Sequence, residues 1–205
     1  MHKRIPALLA VLVLLLLILA PVVSGVAADV PAETEAVTTS PTEEIKGRPK
    51  YVHKPLLLED EIPLDVNTQI YIYGLCDCDR ELFCTVMAIA ATESDFDTDV
   101  VGDEGISVGM CQINTVSQAD RIEALGVTDL TDPIQCATVA IDYITWLVDS
   151  LDTDEPYSSH ALYMAYNMGL LGSLDAQANG ITETRYTREA TWYYETYLEI
   201  VNSRM

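Results

Sequence analysis

The stretch ELFCTVMAIAATE, from Glu81 to Glu93, decides the fold. Leu82, Val86, Ile89 and Ala90 recur at helical spacing and form one apolar stripe. Asp79, just upstream, is a natural N-cap. Glu93 falls four residues after Ile89 and seven after Val86, so it ends the helix on the inward face. A carboxyl there loses hydration, and lost hydration raises its pKa. An acid still protonated near neutral pH can give a proton to a leaving group. Glu93 is therefore a candidate general acid.

Outward from this helix the chain stays mostly helical. Upstream, Val66, Ile70 and Tyr73 mark a helix over Leu64 to Cys76, just after Pro63. Downstream, Ser94 to Asn114 holds many glycines and serines and little helical period, which predicts a loop region with a short hairpin. Thr115 to Leu125 predicts a short helix closed by Gly126. Asp132-Pro133 opens a long helix with Ile134, Ala137, Ile141, Ile144, Leu147 and Val148 as its buried stripe, the expected central helix. Further helices are expected over Tyr157 to Met168, stopped by Gly169, over Leu171 to Ala178, and from about Glu183 to the carboxyl terminus. The expected fold is mainly α, a compact helical globule with one irregular lobe beside Glu93.

The amino-terminal region reads differently. His2, Lys3 and Arg4 precede an apolar run from Ile5 to Val23, and small residues lead up to Ala28. Residues 1–28 are expected to be a signal peptide, with a membrane anchor through residues 5–23 as the alternative. Both place the domain outside the cytoplasm. Residues 29–62 are expected to form a disordered tether, and residues 63–205 a single domain, expected to be monomeric.

A net charge of −21 excludes nucleic acid as a partner and disfavours anionic polymers, so ligand contacts should be short-range and neutral. The five cysteines are Cys76, Cys78, Cys84, Cys111 and Cys136, and an odd count leaves at least one thiol free. Buried apolar roles suit them better than a disulfide, and no ligand pair at zinc spacing completes a site around Cys76, Cys78 and Cys84. Asp95, Asp97, Asp99 and Asp103 resemble part of a calcium loop, but Val100 and Ile106 occupy positions that need Gly and Glu. No metal and no cofactor are expected. His160 opens a helix beside Ser158 and Ser159, which fits capping better than pairing with a cysteine nucleophile.

Three segments carry the remaining chemistry. They are Glu93-Ser94, the loop from Gly102 through Gly109-Met110-Cys111-Gln112 to Asn114, and Ala165-Tyr166-Asn167-Met168-Gly169. Their order and spacing resemble the catalytic domain of soluble lytic transglycosylases and goose-type lysozymes, from about Leu64 onwards. The resemblance implies an α+β lysozyme-like fold and a peptidoglycan glycan strand as substrate. It implies cleavage of the β-1,4 bond between N-acetylmuramic acid and N-acetylglucosamine. Glu93 would act as acid and then as base, leaving a 1,6-anhydromuramic end. Ser94, Gly109, Met110, Gln112, Asn114, Tyr166 and Asn167 would bind substrate. The amides of Gln112 and Asn167 suit hydroxyl and N-acetyl groups, Tyr166 offers a ring face and a phenol, and Gly105 and Gly109 would allow close backbone approach. The alternative is a hydrolytic muramidase with Asp103 as second carboxylate. Asn114, where goose-type lysozymes carry another aspartate, weighs against it. A non-catalytic wall-binding module is the remaining alternative, and a buried acid would have no use there.

Overall fold

The computed structural model describes residue 58, residues 60–151 and residues 156–204. The expected signal peptide and most of the expected tether lie outside them. No helix among the described residues is long and apolar enough to cross a membrane.

Seven α-helices and a three-stranded antiparallel sheet make up the described residues, the α+β arrangement of a lysozyme-like domain. Helix α1 (Val66–Leu75) starts at Asp65, whose carboxylate accepts from the Asn67 and Thr68 amides. Helix α2 (Arg80–Ser94) starts at Asp79, whose Oδ1 accepts from the Glu81 amide at 2.8 Å. The cap matters because the first amides of a helix have no partner inside it.

Every residue of α2 from Leu82 to Ala91 is buried, so the helix is apolar all round and not along one stripe. A helix of that kind belongs in the middle of a core. Ala88, Ala90 and Ala91 leave room for neighbours, and α2 packs chiefly on α7 (Arg185–Ser203), then on α4 (Pro133–Ser150) and α1. The central helix is therefore α2, not α4 as its length implied. The buried face of α4 is Cys136, Ala137, Val139, Ala140, Tyr143, Ile144 and Leu147, whereas Ile134, Ile141 and Val148 are only partly covered. The small residues Cys136, Ala137 and Ala140 let α4 lie close to its neighbours beside Val139, Ile144 and Leu147.

The irregular lobe follows α2. Strands β1 (Val101–Gly102), β2 (Ser107–Val108) and β3 (Ile113–Asn114) pair in sequence order, with Val101 opposite Val108 and Val108 opposite Ile113. A 3-10 turn over Asp103–Gly105 joins the first two. Helix α3 (Ala119–Ala124) is shorter than expected and ends, as expected, next to Gly126, which has φ +66°. Helices α5 (His160–Met168) and α6 (Leu170–Ala178) meet at Gly169, where φ is +79°. Helix α7 starts with a capping box in which Thr184 and Thr187 bond each other's backbone amides.

The packed region begins upstream of Pro63. Leu58 is fully buried and Ile62 nearly so, although both fall within the expected tether. The physical reason is Gln69, a buried amide in α1. Its Oε1 accepts from the Leu58 amide at 2.9 Å and its Nε2 donates to the Leu64 carbonyl at 2.8 Å. A buried amide needs such partners, and only the incoming chain supplies them. The five cysteines are free: Cys76, Cys84, Cys111 and Cys136 are buried, and Cys78 is exposed.

Candidate active site

Glu93 sits in the last turn of α2, where the buried helix emerges at the β lobe. It is partly buried, and loss of hydration pushes its carboxyl up to about 6. The Tyr186 hydroxyl donates to Glu93 Oε1 at 2.7 Å and works in the opposite direction by favouring the carboxylate. The negative charge of Asp103 adds a smaller upward push. An acid poised near neutrality with one fixed hydrogen-bond donor can both release and recover a proton. Burial, followed by the charge of Glu93, holds the Tyr186 phenol well above its usual range, so it stays a donor. Tyr186 has no place among the residues singled out from the sequence. It lies 93 residues from Glu93, and no local pattern marks it.

Ser94 does not face a ligand with a free hydroxyl. Its Oγ donates to the Met110 carbonyl at 2.9 Å and ties the end of α2 to the β lobe. Met110 is fully buried, so its side chain belongs to the core and not to a binding surface. Gly109 also has an internal role. Its φ is +76°, and a Cβ there would stand 2.0 Å from the Leu130 carbonyl oxygen. The missing side chain makes room for the protein's own backbone. Gly105, at φ +100°, faces open space.

A cleft of about 340 Å³ brings together Gln112, Asn114, Tyr166 and Asn167 with Gln118 and Tyr143. Gln112 Nε2 is engaged by the Gly109 and Val100 carbonyls at 3.0 and 3.3 Å, so this amide shapes the loop as well as the cleft. Asn114 Oδ1 accepts from the Val116 and Ser117 amides. The Tyr166 phenol is not offered to a ligand: it donates to the Cys111 carbonyl at 2.9 Å, and the ring packs 5.4 Å from that of Tyr143. Asn167 is exposed at the end of α5 and its side-chain amide makes no bond among the described residues. It is the freest polar group in the cleft wall. Glu93 is not in the wall itself. Its charge is felt in that wall by Tyr166 and, behind it, by Cys111, whose ionisation it opposes.

Asp103 is exposed on the 3-10 turn, and its Oδ2 accepts from Ser107 Oγ at 2.6 Å. Asp103 and Glu104 both have positive φ, 48° and 57°, so the turn holds them in a backbone region that non-glycine residues rarely adopt. Among the described residues no group of three His, Cys, Asp or Glu side chains is placed to hold a metal ion. His160, at the start of α5, has its Nε2 4.0 Å from Glu183 Oε2.

The family model described as Transglycosylase SLT domain matches residues 82–186, just over half of the chain. The matched span begins with the buried part of α2 and ends on Tyr186. No curated protein and no solved structure matches the chain.

Proposed function

The chain belongs to the transglycosylase SLT domain family, whose activity is cleavage of glycan strands in peptidoglycan, and we propose a specific reaction for it. The bond cut is the β-1,4 link from N-acetylmuramic acid to N-acetylglucosamine. Protonated Glu93 gives its proton to the glycosidic oxygen as the bond to C1 breaks. The resulting carboxylate then takes the proton of the muramic acid C6 hydroxyl, whose oxygen closes on C1. The products are a 1,6-anhydromuramic end and a free 4-hydroxyl, and Glu93 is again protonated. One observation carries this assignment: a partly buried carboxyl, pushed up to about 6, with the Tyr186 hydroxyl 2.7 Å away as its fixed partner. That pKa suits a group that must be acid and base in one cycle near neutrality.

Gln112, Asn114, Tyr166 and Asn167 form the wall beside which the strand lies, with Asn167 free to bond an N-acetyl group or hydroxyl. Ser94, Gly109 and Met110 support that wall from within. The hydrolytic reading keeps one observation in its favour, the influence of Asp103 on Glu93. Asp103, however, is exposed and bonded to Ser107, and Asn114 supplies no second carboxylate. A substrate in the cell wall fits an extracytoplasmic enzyme led out by residues 1–28 and held on a tether.

Mass analysis of fragments released from purified peptidoglycan tests the proposal. Anhydro ends are the expected product. Reducing ends would establish hydrolysis, and an uncut wall would establish a binding module.

A further inference from the structure

The chemistry at Glu93 makes no use of Cys111 and Cys136, yet the fold brings these two buried thiols together. Cys111 lies in the turn between β2 and β3, and Cys136 lies in the first turn of α4, 25 residues further on. The Cys111 amide donates to Cys136 Sγ at 3.4 Å, and a Cβ on Gly109 would stand 3.0 Å from the same sulfur. The Cys111 thiol bonds that sulfur too, and this contact draws Cys136 below the usual thiol range. Burial works against the shift, and the amides of Cys111 and Met110 add to it. The same contact, followed by burial, holds Cys111 well above that range. One sulfur is thus disposed to be the thiolate and the other to keep its proton.

The other cysteines lack this arrangement. Burial pushes Cys76 and Cys84 each up to about 12, so neither is a ready nucleophile. Cys78 is exposed. The stretch between the paired thiols also has little else to hold it. From Asn114 to Gln135 only Gln118 is buried, and α3 buries no residue. Yet this stretch carries Asn114, Ser117 and Gln118 of the cleft wall. A segment with so few core contacts opens readily unless its ends are fixed.

We propose that Cys111 and Cys136 are a disulfide site, closed while the chain folds in the presence of a small-molecule or protein disulfide, and that the bond fastens the β lobe to the start of α4. The Cys136 thiolate attacks one sulfur of the oxidant and expels the other as a thiolate. Cys111 then gives up its proton, and its sulfur displaces the second thiolate from the mixed disulfide. The protons of the two cysteines end on the expelled thiolates. Two cysteine thiols are oxidised, and one external disulfide is reduced to two thiols. The exchange precedes closure of the core, because both sulfurs are buried in the folded domain. Once formed, the bond is out of reach of a reductant until the domain unfolds. None of this depends on the glycan-cleaving reading.

The test refolds the full chain carrying Cys78→Ser, which removes the exposed thiol, in glutathione disulfide or in reduced glutathione. Free thiols are then alkylated in denaturant and the peptides mapped by mass. In the oxidised sample the peptides of Cys111 and Cys136 should be joined, with Cys76 and Cys84 alkylated. The oxidised protein should melt about 10 °C above the reduced one, the order expected for closing a loop of this length in a domain of this size. Cys111→Ala combined with Cys136→Ala should abolish that gap, and Cys76→Ala should keep it. Dithiothreitol should leave the bond intact in the native protein and break it in denaturant. Alkylation of every remaining thiol after oxidative refolding overturns the site, as does a link between Cys76 and Cys84. A link from Cys111 to Cys136 that leaves the melting temperature unchanged overturns the fastening role. A chain that folds only in reduced glutathione overturns both.

Discussion

At the scale of single residues, the chemistry depends on how Glu93 holds its proton. Glu93→Gln preserves shape but cannot donate, so cleavage should fall by at least about a hundredfold with folding intact, read as release of wall fragments. The pH dependence has a definite sign. Bond breaking needs protonated Glu93, so the rate should fall as pH rises through about 6. Tyr186→Phe removes a bond that favours the carboxylate, so it should move this limb to higher pH, a shift that mere loosening of the core would not produce. Stability follows the same carboxyl. The folded protein holds this proton more tightly than the unfolded chain, so stability declines as pH rises from about 4.5 to about 6. The amide variant lacks that decline, and the difference in stability between the two proteins should change by roughly 1–2 kcal/mol across the window. Equal pH profiles in thermal melts of the two would contradict the assignment. The partial burial of Glu93 was legible in the sequence, because it follows an N-capped run of apolar residues that is buried all round. Tyr186 was not, because a phenol that reaches across the domain leaves no period in the chain.

At the scale of elements, Gly109 in the turn between β2 and β3 and Asn167 at the end of α5 stand for two kinds of candidate site residue. Gly109→Ala forces a Cβ towards the Leu130 carbonyl at a positive φ, so it should cost upwards of about 2 kcal/mol and lower the melting temperature markedly. Asn167→Ala should do the reverse, because its exposed amide holds nothing among the described residues: turnover falls and the melting temperature stays within a degree or two. Unchanged stability in the first, or lost stability in the second, would show that these roles are interchanged. The sequence displayed the glycines and amides but not which of them the protein uses on itself. Gly109 looks like a place where a ligand approaches, and only the position of Leu130 shows that the approaching group is internal. The expected face of α4 holds at Ala137, Ile144 and Leu147 but is offset at its edge, where Cys136, Val139, Ala140 and Tyr143 are buried and Ile134, Ile141 and Val148 only partly covered. Close packing brought the small residues Cys136 and Ala140 into the face beside its larger members.

At the scale of the molecule, the core extends beyond the motifs that identify it. Leu58 is fully buried, so Leu58→Ala should destabilise the domain by about 2–4 kcal/mol, measured by denaturant unfolding. A chain shortened to begin at Pro63 should lose that anchor and the partner of Gln69 together. Nothing in the composition of residues 29–62 distinguishes Leu58 from its neighbours, because a single buried leucine makes no pattern. The helical class and the irregular lobe were legible because caps, glycines and apolar periods are local signals.

The bond between Tyr186 and Glu93 also has a consequence in time. Helix α2 finds its most extensive neighbour in α7, the last helix among the described residues and far from α2 along the chain. Contacts between such distant parts of a chain close late, since a long loop must be ordered before they are rewarded. A ribosome that has not passed residue 186 has made a chain whose acid has no phenol beside it and whose central helix lacks a wall. The proposed acid therefore acquires its partner only once α7 has docked on α2.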